Sequence, residues 1–307
     1  MALQTTIQTM AVFFLLLAAG FAAGKIGVIK REFMGQLGQI ITNIFLPAMI
    51  FYNTATMVTI DLLKDNLILI PLSVVMYLVL ALAAFALAKI MRLPHDKDRV
   101  FQFAFIFGNT GFVGFPLLNT VFPGTGVLFM CLFSIVDQAA FWTYGVWLAT
   151  ARGRQRERFS PRSIVSPNIV AIVLSLAFAA SGLTLPGILD SALGSISHGT
   201  TPLCMLFLGA MACFSNLCGA FKRPEAYVGV TIKMVLLPIA AALLLRVVGF
   251  SEEVAGCAAL YAALPVMTVV PMVVAQHGNE GEYATGIAVV TFIACVATIP
   301  LVAWLVL

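Results

Sequence analysis

The chain has 307 residues, of which 61% are hydrophobic and only 10% are charged, and its mean hydropathy is +1.04. This balance excludes an ordinary soluble domain, in which about a quarter of the residues are charged. The net charge of +4 comes from basic residues in short loops between apolar runs, which argues against a nucleic-acid partner. The composition therefore predicts an integral membrane protein.

The apolar runs have the length that a helix needs to cross about 30 Å of hydrocarbon, and they lack the alternation of barrel strands. The first run follows "MALQ", which has no Lys or Arg, so it is interpreted as an uncleaved span and not as a signal peptide. Turn signals such as "LPHDKD" and "SGLTLPG" separate later runs. The predicted fold class is all-α integral membrane, with ten transmembrane helices at 5–24, 35–58, 66–90, 100–122, 127–149, 164–182, 191–218, 226–248, 254–277 and 283–306.

The basic residues predict how these spans are oriented. Ten spans place both termini on one side, and 14 of the 17 Lys and Arg residues lie in loops that follow odd-numbered spans. Lys64 and Arg246 lie near the opposite face. Because basic loops resist translocation, we expect both termini on the non-cytoplasmic side of the cell membrane.

A basic segment, "ARGRQRERFSPRS", divides the spans into two sets of five. The predicted organisation is a first five-helix repeat at 1–150, a cytoplasmic loop at 151–163 and a second repeat at 164–307. At an offset of 155 three pairs align: Pro47 with Pro202, Pro116 with Pro271, and Gly126 with Gly281. Because five is odd, the second unit inserts upside down, which predicts the inverted repeats of many secondary transporters.

The fourth span contains "FGNTGFVGFPLLNTVFP", whose glycines and proline are unsuited to a continuous helix in lipid. We expect a half-helix up to about Gly108, an unwound segment "NTGFVGF", and a second half-helix with Pro116 as its first residue. The ninth span, with "LPVMTVVPMVV", is expected to break in the same way between Pro265 and Pro271. Irregular backbone at membrane depth is tolerated only inside protein or along a cavity, so the two breaks predict one central site.

Each second half-helix would aim its free N–H groups at the middle of the bilayer, and two converging helix N-termini favour an anion. Asn109 and Thr110 would add side-chain donors, and the glycines would let a carboxylate approach the backbone. The alternative is that the prolines only kink an ordinary bundle. The candidate substrate-binding residues are Asn109, Thr110, Gly111, Gly114, Pro116, Thr268, Val270, Pro271 and Asn43.

The motif "FGNTGFVGFPLL" resembles the signature of the auxin efflux carrier family, whose bacterial members include proteins assigned to malonate or malate transport. The resemblance implies that the fourth and ninth helices cross at their breaks. It also implies that helices 1, 2, 6 and 7 form a scaffold for a mobile unit of the other six, and that Asn109 contacts the substrate. Relatives often have a second Asn in the ninth helix, where this sequence has Val269 and Val270 beside Thr268. Recognition of auxin as in plants is therefore not expected.

Few ionisable residues lie within the spans. Asp137, with Gln138 beside it, is near mid-depth in the fifth span, where an acid either couples transport to H⁺ or Na⁺ or serves a structural hydrogen bond or ion pair. Lys233 is expected to snorkel to the cytoplasmic face, with pairing to Asp137 as the alternative. Asn43, besides being a candidate for the site, and His198 are expected to form core hydrogen bonds.

The sequence predicts a secondary transporter of small organic anions, mono- or dicarboxylates, that works by elevator-type alternating access. It contains no H-E-x-x-H, P-loop or C-x-x-C motif, so we expect no enzyme activity, no metal and no cofactor other than H⁺ or Na⁺. The expected partners are a small organic anion and the lipid bilayer, with a homodimer left open. Three alternatives remain: a sodium-coupled carrier similar to bile acid symporters, a passive channel, and an intramembrane enzyme.

Overall fold

The computed structural model describes residues 2–94, 96–152, 166–214 and 221–307. These residues form helices and no β-strand, as predicted. Residues 153–163 of the predicted basic loop lie outside the described residues, as do His95 and Cys218. The helices, in chain order, are α1 (Ala2–Lys25), α2 (Arg31–Met57), α3 (Ile60–Asp65), α4 (Leu69–Ile90), α5 (Lys97–Ile106), α6 (110–121), α7 (Thr125–Ala149), α8 (Pro167–Ser181), α9 (Gly187–Cys213), α10 (Pro224–Val248), α11 (Glu252–Ala262), α12 (Val270–Gln276) and α13 (Gly281–Val306).

Seven of these helices are long and apolar enough to cross a membrane: α1, α2, α4, α7, α9, α10 and α13. Helix α8 is apolar but shorter, with 15 residues. The predicted fourth and ninth spans are each divided into two short helices, α5 with α6 and α11 with α12. The chain is therefore a multi-pass helical membrane protein.

Three of the helices contain a π-helical turn just before a proline, whereas a fourth π-helical turn, Phe141–Gly145 in α7, has no proline near it. The pairs are Ile41–Phe45 before Pro47, Thr110–Gly114 before Pro116, and Ile232–Leu236 before Pro238. Proline has no N–H and its ring clashes with the carbonyl four residues back, so a wider turn at that carbonyl relieves the clash. Because the wide turn contains an extra residue, it rotates the face on which the following side chains lie, by about 100°.

Two groups of helices are visible in the packing. Helix α1 packs along α9, while α2 packs against α8 and α9. In the second group α4 packs on α5 and α7, α10 packs on α11, and α13 packs on both α5 and α12. Helices α1 and α6 are among the elements that join the two groups.

The contact between α1 and α9 brings two backbones together at glycines. A Cβ atom on Gly20 would lie 2.2 Å from the carbonyl oxygen of Leu206, and one on Gly209 would lie 2.0 Å from that of Leu17. Side chains at these positions are excluded by backbone, which cannot move aside as a flexible side chain does. Small residues that allow this approach are typical of helix pairs in membranes, where packing is a main source of association energy.

We predict that Gly209→Ala lowers the thermal unfolding midpoint of the protein in detergent, because the new methyl group forces α1 and α9 apart. Gly35→Ala is the matched control, since nothing lies within 4 Å of a Cβ at that position. Alanine there improves helix propensity by up to about 1 kcal/mol, so its midpoint should stay constant or rise. Equal midpoints for the two variants would contradict the proposed role of the contact.

Candidate functional site

The first helix break is short and is capped by an asparagine. Helix α5 ends at Ile106, and α6 begins at Thr110 with Asn109 as its N-cap. The Oδ1 atom of Asn109 accepts a hydrogen bond from the N–H of Phe112 at 3.2 Å. This cap starts α6 earlier than predicted: most of "NTGFVGF" is a π-helical turn, and Pro116 lies within α6 and does not begin it. The expectation of an unwound segment up to Phe115 was therefore wrong, whereas the regular α-helical part of α6 begins at Phe115, one residue before the predicted start at Pro116.

The second helix break lies where the sequence predicted it, between Pro265 and Pro271. Helix α11 ends at Ala262 and α12 begins at Val270, so residues 263–269 are not helical. Helix α12 has only seven residues, and Pro271 within its first turn has no N–H to offer. Its N-terminus therefore supplies fewer donors than the sequence analysis assumed.

The two breaks cross and pair with each other. Gly108 and Val266 form an antiparallel bridge. Two backbone hydrogen bonds accompany it: Asn109 N–H to Pro265 O at 2.7 Å, and Met267 N–H to Phe107 O at 3.1 Å. Each break thus satisfies polar groups that the hydrocarbon would leave unpaired.

Close approach at the crossing accounts for the predicted glycines. A Cβ atom on Gly108 would lie 3.0 Å from the Cβ of Leu264, and one on Gly114 would lie 2.8 Å from the Cδ1 of the same leucine. At Gly111 the nearest atom would be the Cδ1 of Leu46, at 3.2 Å. The glycines at 108 and 114 therefore make room for Leu264 of the second break.

One side-chain donor at the crossing has no partner in the part of the chain that the structure describes. Asn109 is 1% exposed, and its buried Nδ2 has no hydrogen-bond partner among the described residues. An unpaired buried donor costs about 1–3 kcal/mol, so a ligand that accepted from it would recover that energy. The nearby N–H groups of Thr110 and Phe112 are already used, by Gly108 O and by Asn109 itself. The side-chain amide of Asn109, more than the backbone N–H groups at the start of α6, is therefore the donor available to an anion.

The other predicted site residues divide into those at the crossing and one away from it. Thr110 and Val270 are buried beside the breaks, and Thr268 is half-buried in the second. Asn43 is exposed in the π-helical turn of α2, so the expected core hydrogen bond was wrong. It does not line the cavity described below, and its assignment to the site stays a prediction. The extra residue of that turn changes which side chains face the core. His198 is also exposed, with its ring edge-on to Tyr52.

A cavity of about 520 Å³ lies between α1, α2, α6 and α9. It is in the size range of small-molecule sites. Polar side chains that line it include Tyr52, Asn53, Asn119, Thr120, Ser197 and His198. The Ser197 hydroxyl donates to Asn53 Oδ1 at 3.4 Å, whereas Asn119 Oδ1 is buried without a partner among the described residues.

The sequence analysis missed this cavity, although a pattern marks it. Polar residues recur with the spacing i, i+1, i+4 in two apolar helices, at Tyr52, Asn53 and Thr56 in α2 and at Ser197, His198 and Thr201 in α9. This spacing puts them on one face of each helix. Asn119 is ten residues beyond Asn109, so the crossing lies about 15 Å from the cavity along α6.

The acid of the fifth predicted span is completely buried behind the crossing. The hydroxyl of Tyr77 donates to Asp137 Oδ1, and the hydroxyl of Tyr261 bonds to Tyr77. Gln138 donates to the other carboxylate oxygen at 3.4 Å. These contacts connect α4, α7 and α11, so Asp137 sits in a polar network and not against lipid.

Lys233 does not snorkel. It is 2% exposed, and its Nζ donates to Leu264 O in the second break at 2.6 Å. It lies within a π-helical turn of α10, which explains why the distance from the helix end did not predict its orientation. Its hydrogen bond goes to the second break, and none of the ion pairs between described residues joins it to Asp137, which was the inward alternative.

Long apolar helices, two crossed breaks and buried ionisable groups behind them are the features of a membrane transporter. A model of the family described as membrane transport protein matches residues 5–305, and the chain belongs to this family. The resemblance to auxin efflux carriers is confirmed by this match.

The similarity to individual relatives is low but extends over most of the chain. An uncharacterized transporter of Methanothermobacter thermautotrophicus is 22% identical over 296 residues, which cover 96% of both chains. A protein of Rhizobium meliloti with the name "Putative malonate transporter" is 25% identical over 298 residues, covering 94% of this chain and 91% of the relative. These relatives are named transporters, in agreement with the prediction that the chain is not an enzyme.

Proposed function

We propose that this protein is a secondary carrier of small organic anions, with mono- or dicarboxylates as the substrate class. The observation that carries the proposal is the amide of Asn109, which is buried at the crossing of the two breaks and has no hydrogen-bond partner among the described residues. A carboxylate can accept from this amide, and hydrogen bonds to charged groups are stronger than those between neutral groups. The name of the Rhizobium meliloti relative, and its coverage of both chains, favour malonate as the first substrate to test.

The proposed mechanism is alternating access of the elevator type, on two inverted repeats of five helices. The packing of α1 with α9 and of α2 with α8 and α9 supports a scaffold built from the first, second, sixth and seventh spans. The breaks and the network around Asp137 belong to the other group of helices. Movement of that group against the scaffold would carry the Asn109 amide toward one side of the membrane and then toward the other.

The proposed orientation has both termini on the non-cytoplasmic side, with the 151–163 segment in the cytoplasm. The cavity is lined by the first part of α1, the last part of α2 and the last part of α6. With this orientation, it would open to the non-cytoplasmic side. We propose that it is the vestibule through which the anion enters or leaves on that side.

Transport by purified protein in proteoliposomes tests the class of function directly. If the protein is a carrier, proteoliposomes loaded with unlabelled malonate should accumulate labelled malonate transiently by counterflow. Malate and other carboxylates should compete with the labelled malonate. A passive channel gives no counterflow, and an enzyme would convert the substrate instead of moving it intact. Absence of counterflow with every carboxylate tested would refute the proposal.

We predict that Asn109→Asp abolishes anion binding while the protein remains folded. The carboxylate keeps the N-cap acceptor for Phe112, but it removes the amide donor and adds a repelling charge. Loss of the hydrogen bond to a charged group alone costs about 1.5–3 kcal/mol, which is roughly ten- to a hundredfold in affinity. Asn168→Asp is the control, because it adds the same charge in the first turn of α8, where an acid is favourable. The measurement is the rise in the unfolding midpoint that malonate causes in each variant. A rise for Asn109→Asp equal to that of the wild-type protein would remove this residue from the site.

We predict that Thr120→Cys, in a background without native cysteines, reacts with a membrane-impermeant maleimide added to the non-cytoplasmic side of intact cells. Thr120 is exposed and lines the cavity. Lys222→Cys is the matched control for the other side and should react only after permeabilisation. The reverse pattern of labelling would overturn the proposed orientation.

We predict that Asp137→Asn separates exchange from accumulation, if Asp137 together with Gln138 couples transport to an ion. Asparagine keeps the shape and an acceptor for Tyr77 while it removes the charge. The variant should retain malonate exchange, which needs no net ion movement, yet lose accumulation driven by a pH or Na⁺ gradient. A folded variant that still accumulates malonate against a gradient would exclude this role, and gel filtration in detergent establishes that it is folded.

A further inference from the structure

Two stacked phenylalanine rings join the first break to the helix group that contains α2, α8 and α9. Phe112, in the first turn of α6, stacks on Phe207 of α9, with the ring centroids 5.3 Å apart and the ring planes inclined by 25°. Such a pair stabilises by more than the apolar area that it buries. Phe207 also lies against α2, because a Cβ atom on Gly38 would be 3.4 Å from two atoms of its ring. One ring of the pair is therefore fixed by α2 and α9 together.

Phe112 is also the residue that orients Asn109. Its backbone N–H donates to Asn109 Oδ1 at 3.2 Å. A carboxamide has one acceptor end and one donor end, so this bond turns the oxygen toward α6 and leaves Nδ2 as the donor without a partner among the described residues. The ring and the N–H of a single residue thus connect Phe207 to the amide of the candidate anion site.

The residue before Phe112 touches the same helix group. A Cβ atom on Gly111 would lie 3.2 Å from Leu46 Cδ1 in α2. Because neighbouring residues of a helical turn point in different directions around its axis, α2 and α9 contact the first turn of α6 on two sides. Asn109 directly precedes this turn as its N-cap. The position of the N-cap therefore depends on helices outside the group to which the two breaks belong.

We propose that Phe207 is a positioning residue for the anion site, acting through Phe112 on the Asn109 amide and not by contact with the anion. The effect on transport rests on the proposed carrier function, whereas the link between Phe207 and Asn109 does not. When the breaks move against α9, the two rings separate and the amide loses this support. The site then binds the anion most tightly in the arrangement described above and releases it after the movement.

Replacement of the ring tests the inference on the purified full-length protein. Phe207→Ala should raise the dissociation constant of malonate about two- to tenfold, which corresponds to the loss of one aromatic pair. Phe207→Tyr keeps the ring and should bind as the wild-type protein does. Phe178→Ala is the matched control, because Phe178 of α8 is also half-buried and pairs with Phe51 of α2 at 5.8 Å, within one helix group. Its malonate affinity should stay at the wild-type value.

A cycle of variants separates positioning from a general weakening of the protein. If Phe207 acts through Asn109, then Phe207→Ala should cost little further malonate affinity in a protein that already has Asn109→Ala. The same cycle on the unfolding midpoint without malonate should give a smaller drop for the double variant than the sum of the two single drops. This second measurement decides the link where malonate binding is too weak to measure.

Additive losses in the unfolding cycle would overturn the inference, and so would an unchanged malonate affinity in folded Phe207→Ala. An equal loss of affinity in Phe178→Ala would also overturn it, because that ring does not reach the first break. If Phe207→Ala does not fold, Phe207→Leu takes its place, since leucine keeps most of the apolar volume without the stacking. A wild-type protein that binds no carboxylate would count against the proposed function, while the unfolding cycle would still test the link.

Discussion

A helix that breaks inside a membrane must find hydrogen-bond partners for its backbone, because hydrocarbon offers none. In this protein each of two breaks supplies partners to the other, through the Gly108 and Val266 bridge and the two bonds beside it. The pairing explains why the breaks lie at the same depth and why they cross. It also explains the glycines, since backbones can approach this closely only where side chains are absent.

The hydrogen bonds between the two breaks do not use every polar group at the crossing. One of the remaining groups is a hydrogen-bond donor and the other is an acceptor. On the first break the remainder is a donor, the amide of Asn109. On the second break the remaining group is an acceptor, the carbonyl of Leu264, which accepts a hydrogen bond from Lys233 Nζ. Among the described residues, the crossing therefore has an unused donor beside a carbonyl that already has a partner. In the proposed function, the amide would bind a carboxylate without a buried arginine.

Composition and the long apolar runs were sufficient to predict the helical membrane fold, because lipid restricts the backbone so strongly. The breaks could be located from glycine and proline, yet their extent could not. Asn109 starts α6 early, and a π-helical turn absorbs Pro116. The same kind of turn explains why the core hydrogen bond expected for Asn43 and the snorkelling expected for Lys233 were wrong, since one additional residue changes the face of a helix without any mark in the hydrophobic pattern. The polar cavity depends on which helices are neighbours, and periodicity in one helix does not contain that information.

The glycine contact between α1 and α9 has a consequence for how the chain is made. Gly20 leaves the ribosome well before its partner surface around Gly209, which lies far along the chain in α9. Before α9 is synthesised and inserted, the backbone around Gly20 in α1 can pack only against lipid or an insertion factor. Formation of this contact is therefore a late event, because it requires α9 to have entered the membrane.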